Sequence, residues 1–139
     1  MIVSETLLEV RYYETDLMGI VHHSNYVRYF EYGRIKMLEE IGLPICEIEK
    51  AGIMLPVVSV MCNYKRPTKM GDTLRIVSMV EKMPMAKMEI KNEIYNMDNE
   101  LVCYGTVVIG FIHSDSRRPT RAPQMCIDKM RPYFKKQIN

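Results

Sequence analysis

The chain has no apolar run approaching the roughly 20 residues that a bilayer-spanning helix needs, so no membrane span is expected. Its first stretch, "MIVSETLLEVRYYE", meets acidic residues too early for a secretory leader, and a cytoplasmic location is the resulting expectation. The four cysteines, Cys46, Cys62, Cys103 and Cys126, form no C-x-x-C pair and no zinc-ribbon spacing. Without a leader they do not suggest a disulfide framework, and they read as reduced core or surface residues. There is no H-x-x-x-H helix spacing. His22 and His23 are adjacent, their side chains would diverge in most extended or turn conformations, and the one other histidine is His113, so no metal site is expected. No Gly-rich phosphate loop and no recognition motif accompany the basic residues, so neither a cofactor nor a nucleic acid is an expected partner. Repeats, low-complexity segments and linkers are also missing, and 139 residues suit one domain spanning 1–139.

What is present is a foldable chain, with 47% hydrophobic and 26% charged residues, enough apolar material to build a core. Its charge is uneven. Residues 1–50 carry five Lys/Arg against nine Asp/Glu, a net of −4, whereas residues 113–139 carry seven against two, a net of +5. A basic C-terminal stretch can face a phosphate-bearing ligand or simply water.

The segment "IVSETLLEVRYY", residues 2–13, is rich in β-formers and predicts a strand. The strongest helical signal is "YVRYFEYGRIKMLEEI", residues 26–41, where Tyr26, Phe30, Gly33, Met37 and Ile41 share one face. Ser24 and Asn25 are both suitable N-caps for it, and Gly42 with Pro44 supplies its stop. Gly33 in mid-helix costs about 1 kcal/mol relative to Ala, which predicts a close approach to a sheet. Four strand-like runs follow, at 56–64, 73–82, 86–96 and 101–112. The second and third make a hairpin around Met83–Pro84, and the fourth, apolar on both faces, reads as central. Pro123 opens a short final helix in "PQMCIDKM". The order strand, long helix, four strands, short helix predicts an α+β layout with the helix laid on an antiparallel sheet.

The stretch "ETDLMGIVHHSNY", residues 14–26, sits between the first strand and that helix. An acid there lies near free backbone N–H groups and the positive end of the helix dipole. Such a place keeps a carboxylate ionised and offers an N–H to an oxyanion developing on a carbonyl substrate. Gly19 permits a tight bend or a ligand's approach to the backbone. From these residues alone, Asp16 as a cap on its own loop and Asp16 as a catalytic carboxylate stand level.

The run "YYETDLMGIVHHSNYVRYFEYGR" resembles the signature of the 4-hydroxybenzoyl-CoA thioesterase family, and is most similar to its Tol–Pal-associated bacterial acyl-CoA thioesterase branch. Tyr12, Glu14, Thr15, Asp16, Gly19, Val21, His23, Asn25, Tyr26, Phe30, Glu31 and Arg34 carry the match. "YKRPTKMGD" and "SRRPTRAP" are similar to later segments of that family. The resemblance implies a hotdog fold, in which a curled antiparallel sheet wraps around one long helix. It also implies hydrolysis of an acyl-CoA to a free acid and CoA, with Asp16 as nucleophile or general base. The His23 backbone N–H would be the oxyanion donor, its ring would assist the leaving group or water, and Tyr26 would shape the pocket. Lys65, Arg66, Arg117 and Arg118 (with Lys69 as a further candidate) would meet the CoA phosphates. A homodimer or homotetramer with its sites at the interface is implied as well. Met18 and His22 depart from some relatives at positions facing the acyl pocket, which bears on acyl preference. The alternative on the same fold is a non-catalytic acyl-CoA sensor, usually fused to a helix-turn-helix that these residues lack. A dehydratase on the same fold would need a His-x-x-x-x-x-Pro site and a helix Glu, and neither His22 nor His23 has that spacing. Glu31, three residues before Arg34, is accounted for by an intrahelical ion pair.

Overall fold

The computed structural model describes residues 1–134. Strand β1 is Ile2–Glu9, helix α1 Ser24–Glu40 and helix α2 Ile45–Lys50. They are followed by β2 (Ile53–Met54), β3 (Val57–Tyr64), β4 (Thr73–Val80), β5 (Lys87–Tyr95), β6 (Leu101–Gly110), β7 (Ile112–His113) and α3 (Gln124–Met130). Five strands form one antiparallel sheet in the order β1-β4-β5-β6-β3, while β2 and β7 make a small separate ladder. Period-2 burial decides which face of the sheet meets α1. Leu74, Ile76, Ser78 and Val80 of β4, and Met88, Ile90, Asn92 and Ile94 of β5, are buried, while Lys87, Glu89 and Lys91 are exposed.

Helix α1 contributes Tyr26, Tyr29, Phe30, Gly33, Arg34, Met37 and Leu38 to the buried side, a stripe with the expected 3.6 period. It ends in a Schellman arrangement. Gly42 has φ of 85°, its N–H donates to the Glu39 carbonyl at 3.1 Å, and the Leu43 N–H donates to the Leu38 carbonyl at 2.8 Å. The close approach predicted from Gly33 is present. A Cβ on Gly33 would lie 2.6 Å from Ile76 Cγ2 and 2.7 Å from Ser78 Oγ. The sheet beneath is lowered to match, because Ser4, Ser78, Asn92, Gly105 and Cys62 are register partners that run as one row of small or polar residues across all five strands. Gly105 lets Phe30 sit against the sheet, since a Cβ there would meet Phe30 Cε2 at 2.9 Å.

Several expectations need correction. Neither Ser24 nor Asn25 caps α1: His23, with helical φ and ψ of −54° and −29°, precedes the helix, and the Asn25 amide is drawn inward to the Glu14 carbonyl at 2.8 Å. The run 101–112 is interrupted after Gly110, and β6 is an interior strand, but β5 holds the middle of the sheet. The α2 helix and the β2–β7 ladder are additions to the expected order of elements. The first strand stops at Glu9, and Tyr12–Glu14 forms a single 3-10 turn. Of the basic C-terminal stretch, residues 135–139 lie outside the described residues.

Among the described residues strand β3 is an edge, bonded only to β6, and all of Val57–Met61 is exposed. Cys46 is exposed, Cys103 and Cys126 are buried, and Cys62 is half-buried with its Sγ 3.4 Å from that of Cys103.

Candidate active site

The loop between the 3-10 turn and α1 folds back on itself. Thr15 and Val21 form an isolated antiparallel bridge, the Asp16 N–H donates to the Ile20 carbonyl at 2.8 Å, and the Gly19 N–H donates to the Asp16 carbonyl at 3.0 Å. Gly19 closes this turn with φ of 80°, and a Cβ there would meet nothing within 4 Å. Glycine is therefore required here for its conformation and not for space. One carboxylate oxygen of Asp16, Oδ1, accepts the Met18 N–H at 2.8 Å. The other, Oδ2, has no partner among the described residues. Asp16 thus caps its own loop with one oxygen only.

A cavity of about 400 Å³ opens beside it. Asp16, Met18, His23, Tyr26, Tyr64, Lys65 and Arg66 all line it. His23 stands at the last position before α1, where the N–H groups of the first turn lack helical acceptors. The His22 carbonyl accepts the Asn25 N–H at 2.9 Å, and the His23 carbonyl accepts the Tyr26 N–H at 3.3 Å. The His23 N–H itself has no acceptor among the described residues. The imidazole of His23 is exposed, stacked on His22 with ring centroids 4.1 Å apart. Tyr26 is buried, and its hydroxyl is hydrogen-bonded to Thr68 Oγ1 at 2.8 Å. Burial pushes its phenol above the ordinary range, so it stays protonated.

The sequence-predicted residues divide into two groups. Asp16, His23, Tyr26, Lys65 and Arg66 converge on this cavity. Gly19 lies behind Asp16 beside Tyr12 and Tyr13. Arg117 lies on a different cavity of about 320 Å³, with Arg34 and Ile109, and Arg118 is beside it in a turn at whose start the Arg117 N–H bonds the His113 carbonyl at 2.8 Å. Charge alone could not tell which end of the sheet that turn would occupy. Arg66 is held to Glu100 at 3.2 Å, and the Lys65 ammonium stands 5.7 Å over the Tyr104 ring, both at the protein surface. Met18 lines the cavity, while His22 reaches it only through its stack on His23. Glu31 pairs with Arg34 at 3.6 Å, as the helix spacing predicted. Sequence reasoning missed Tyr64, whose ring packs edge-on against Tyr26 with centroids 5.5 Å apart, although its place at the end of an alternating strand was a usable signal.

Comparison with known proteins gives a consistent picture. A family described as the thioesterase-like superfamily matches residues 10–130. The candidate acyl-CoA thioesterase YneP of Bacillus subtilis is 35% identical over 117 residues, covering 84% of this chain and 85% of that protein. The solved structure of a DHNA-CoA thioesterase from Staphylococcus aureus superposes with a TM-score of 0.90 at 34% identity, covering 99% of this chain and 92% of that one. A second protein from Staphylococcus aureus, SAV2348, solved in complex with CoA, shares the fold with a TM-score of 0.86 at 18% identity, covering 100% and 89% of the two chains.

Proposed function

The chain belongs to the thioesterase-like superfamily and has its hotdog fold, and we propose that, as one domain, it hydrolyses the thioester of an acyl-CoA to a free acid and CoA. The observation that carries this reading is that Asp16, with one carboxylate oxygen unbonded among the described residues, and His23, with its N–H unbonded among them, stand on the two arms of one loop and line one cavity. The thioester carbonyl carbon would sit at Asp16 with its oxygen turned toward the His23 N–H. As the carbonyl becomes tetrahedral, charge gathers on that oxygen, and an N–H at the positive end of a helix stabilises it. Asp16 would either attack the carbonyl to form an anhydride and release CoA thiolate, or take a proton from an attacking water. The His23 ring, exposed at the cavity mouth, would meet the leaving sulfur. Lys65 and Arg66 at the rim would face the CoA phosphates. The work would be done in the cytoplasm, by a dimer or a tetramer. The narrower likeness to the Tol–Pal-associated branch rests on the signature residues alone.

The test is thiol release from a panel of aromatic and aliphatic acyl-CoAs. Aromatic acyl groups come first, because the rings of Tyr26 and Tyr64 line the cavity; the DHNA-CoA substrate of the Staphylococcus aureus neighbour is one of the panel. Asp16→Asn should retain binding and lower kcat by roughly 10²–10⁴. Near-normal kcat in folded Asp16→Asn would overturn the assignment. Saturable binding with no turnover by the native protein would make it a sensor instead.

A further inference from the structure

The two groups on which the proposed hydrolysis depends lie on opposite arms of the 14–25 loop, and one buried residue touches both arms. Glu14 is 4% exposed. Its main-chain carbonyl accepts the His22 N–H at 2.8 Å and the Asn25 side-chain amide at 2.8 Å. Its carboxylate is held from two sides. Oε1 accepts the Arg11 N–H at 2.9 Å and the Tyr29 hydroxyl of α1 at 2.9 Å, while Oε2 accepts the Arg11 guanidinium at 2.6 Å.

We propose that Glu14 is a positioning residue for hydrolysis: it fixes the Asp16 carboxylate and the His23 N–H at one separation by fastening both arms of the loop to α1. This rests on the reading of Asp16 and His23 given above. Glu14 is two residues from Asp16 along the chain, and the N–H its carbonyl receives belongs to the residue before His23. A displacement of that one carbonyl would therefore move both reacting partners at once. Tyr29 is 1% exposed and cannot shift without disturbing the core, so it ties the loop to the rigid part of the molecule. A buried carboxylate is a poor choice for a turn that has only to be stable, because ionised groups are costly to desolvate. It suits a turn that must be rigid, because two oxygens can receive several convergent donors.

The charge states agree. Burial pushes the Glu14 carboxyl up, but the hydrogen bonds from the Arg11 side chain, the Arg11 backbone and Tyr29 outweigh it, leaving the carboxyl below its ordinary value. Tyr29 is pushed up, first by burial and then by donating to Glu14. Arg11 and Tyr29 face Glu14 directly, with Tyr13 beside Arg11 and Tyr26 beside Tyr29. The clamp therefore stays ionised on one side and protonated on the other across the neutral range.

Three variants separate positioning from plain stability. Tyr29→Phe removes one donor and keeps the ring. Glu14→Gln keeps the shape and removes the charge. Ser78→Ala is the control, an equally buried side chain on β4 away from the loop. Each is measured for kcat, KM, Tm and backbone amide exchange across residues 14–26. Misplacement of reacting groups by up to 1 Å costs as much as 10²-fold, so the loss of one of several ties should lower kcat by about 10-fold in Tyr29→Phe, with KM within about twofold. The amides of His22 and Asn25 should exchange at least about 10-fold faster. Ser78→Ala, compared at matched loss of Tm, should leave both readouts at the native level. Unchanged kcat or unchanged loop exchange in Tyr29→Phe overturns the proposal, as does an equal loss of kcat in Ser78→Ala. If Glu14→Gln does not fold, Tyr29→Phe decides. Absence of turnover in the native protein would overturn the hydrolase reading and the catalytic part of this assignment together, whereas unaltered exchange with normal native turnover would overturn the clamp alone.

Discussion

The Tyr64 hydroxyl donates to the main-chain carbonyl of His23 at 3.2 Å, tying the end of edge strand β3 to the residue that leads into α1. The same ring packs edge-on against Tyr26 and His23. Burial, followed by a hydrogen bond with Cys62, pushes the Tyr64 phenol up to about 12, so it remains a donor throughout the neutral range. Tyr64→Phe keeps the ring contacts and frees the His23 peptide. A hydrogen bond of this kind contributes about 0.5–1.5 kcal/mol. If that energy holds the oxyanion donor in place, kcat should fall by roughly 2- to 12-fold with little change in KM. Steady-state thiol release from the variant checks this, and an unchanged kcat would separate Tyr64 from the reaction.

Gly33 is a packing requirement, and its helix propensity points the other way. Ala at this position gains about 1 kcal/mol of propensity. Its Cβ, however, would lie 2.6 Å from Ile76 Cγ2 and 2.7 Å from Ser78 Oγ, and overpacking of a tight core costs about 1–3 kcal/mol. Gly33→Ala should therefore be destabilising overall. Gly105→Ala should be worse, since its Cβ would fall on the main-chain oxygen of Met61, which cannot rotate away. Urea denaturation of both variants gives the order.

The acid stability of the fold should depend on Glu14. Its folded pKa lies below its ordinary value of 4.5, so its contribution is present above that value and is lost as pH falls through the depressed pKa. Thermal melts from pH 7 to pH 3 should show Glu14→Gln less stable than the native protein at neutral pH. The gap between them should narrow below about pH 4.5. A gap that is constant with pH would mean that the loss is steric.

The legibility of this molecule in its sequence follows the range of the interactions. Helix α1 could be read because Tyr26, Phe30, Met37 and Ile41 keep one period over four turns, and Gly33 could be read because it breaks the propensity rule in the middle of that stripe. By contrast, α2 is six residues held by the burial of Ile48, and β2 and β7 are two-residue strands, too short for any periodicity to register. The closeness of Asp16 to His23 is local and was visible in the loop. The Tyr64–His23 bond spans 41 residues and the Tyr29–Glu14 bond spans 15, and each depends on a tertiary approach with no local signature. Asn25 illustrates the failure of a local rule, since its amide goes to a buried carbonyl that a capping preference cannot anticipate.

The basic residues give a comparison between two places. Lys65 and Arg66 rim the Asp16 cavity, while Arg117 and Arg118 are outside it in the same chain. Reversing Lys65 and Arg66 to Glu should raise KM for an acyl-CoA by about 10-fold, roughly 1.4 kcal/mol of lost binding. It should spare an acyl-pantetheine, which lacks the nucleotide phosphates. Reversing Arg117 and Arg118 should do the same only if a second protomer brings that turn to the site. An equal loss on both substrates would point to folding.

Strand β3 presents one unpaired edge, with Val57 48%, Val58 51%, Val60 40% and Met61 48% exposed. Unpaired N–H and C=O groups flanked by apolar side chains form a template for another strand, and folded proteins cover or pair such edges. A second copy of β3, laid antiparallel about a two-fold axis, would satisfy both copies at once and close the assembly. The Asp16 cavity lies at the Tyr64 end of this strand, so the antiparallel partner would bring its Val57 end toward that cavity. The expected species in sedimentation at micromolar concentration is a dimer or a tetramer. Val60→Glu places a charge in the middle of the edge on each copy and should shift the protein to monomer. If the site needs the partner's strand, kcat/KM should fall in step with the loss of dimer across a dilution series. A native protein that sediments as a monomer with full activity would rule out both the pairing and the shared site.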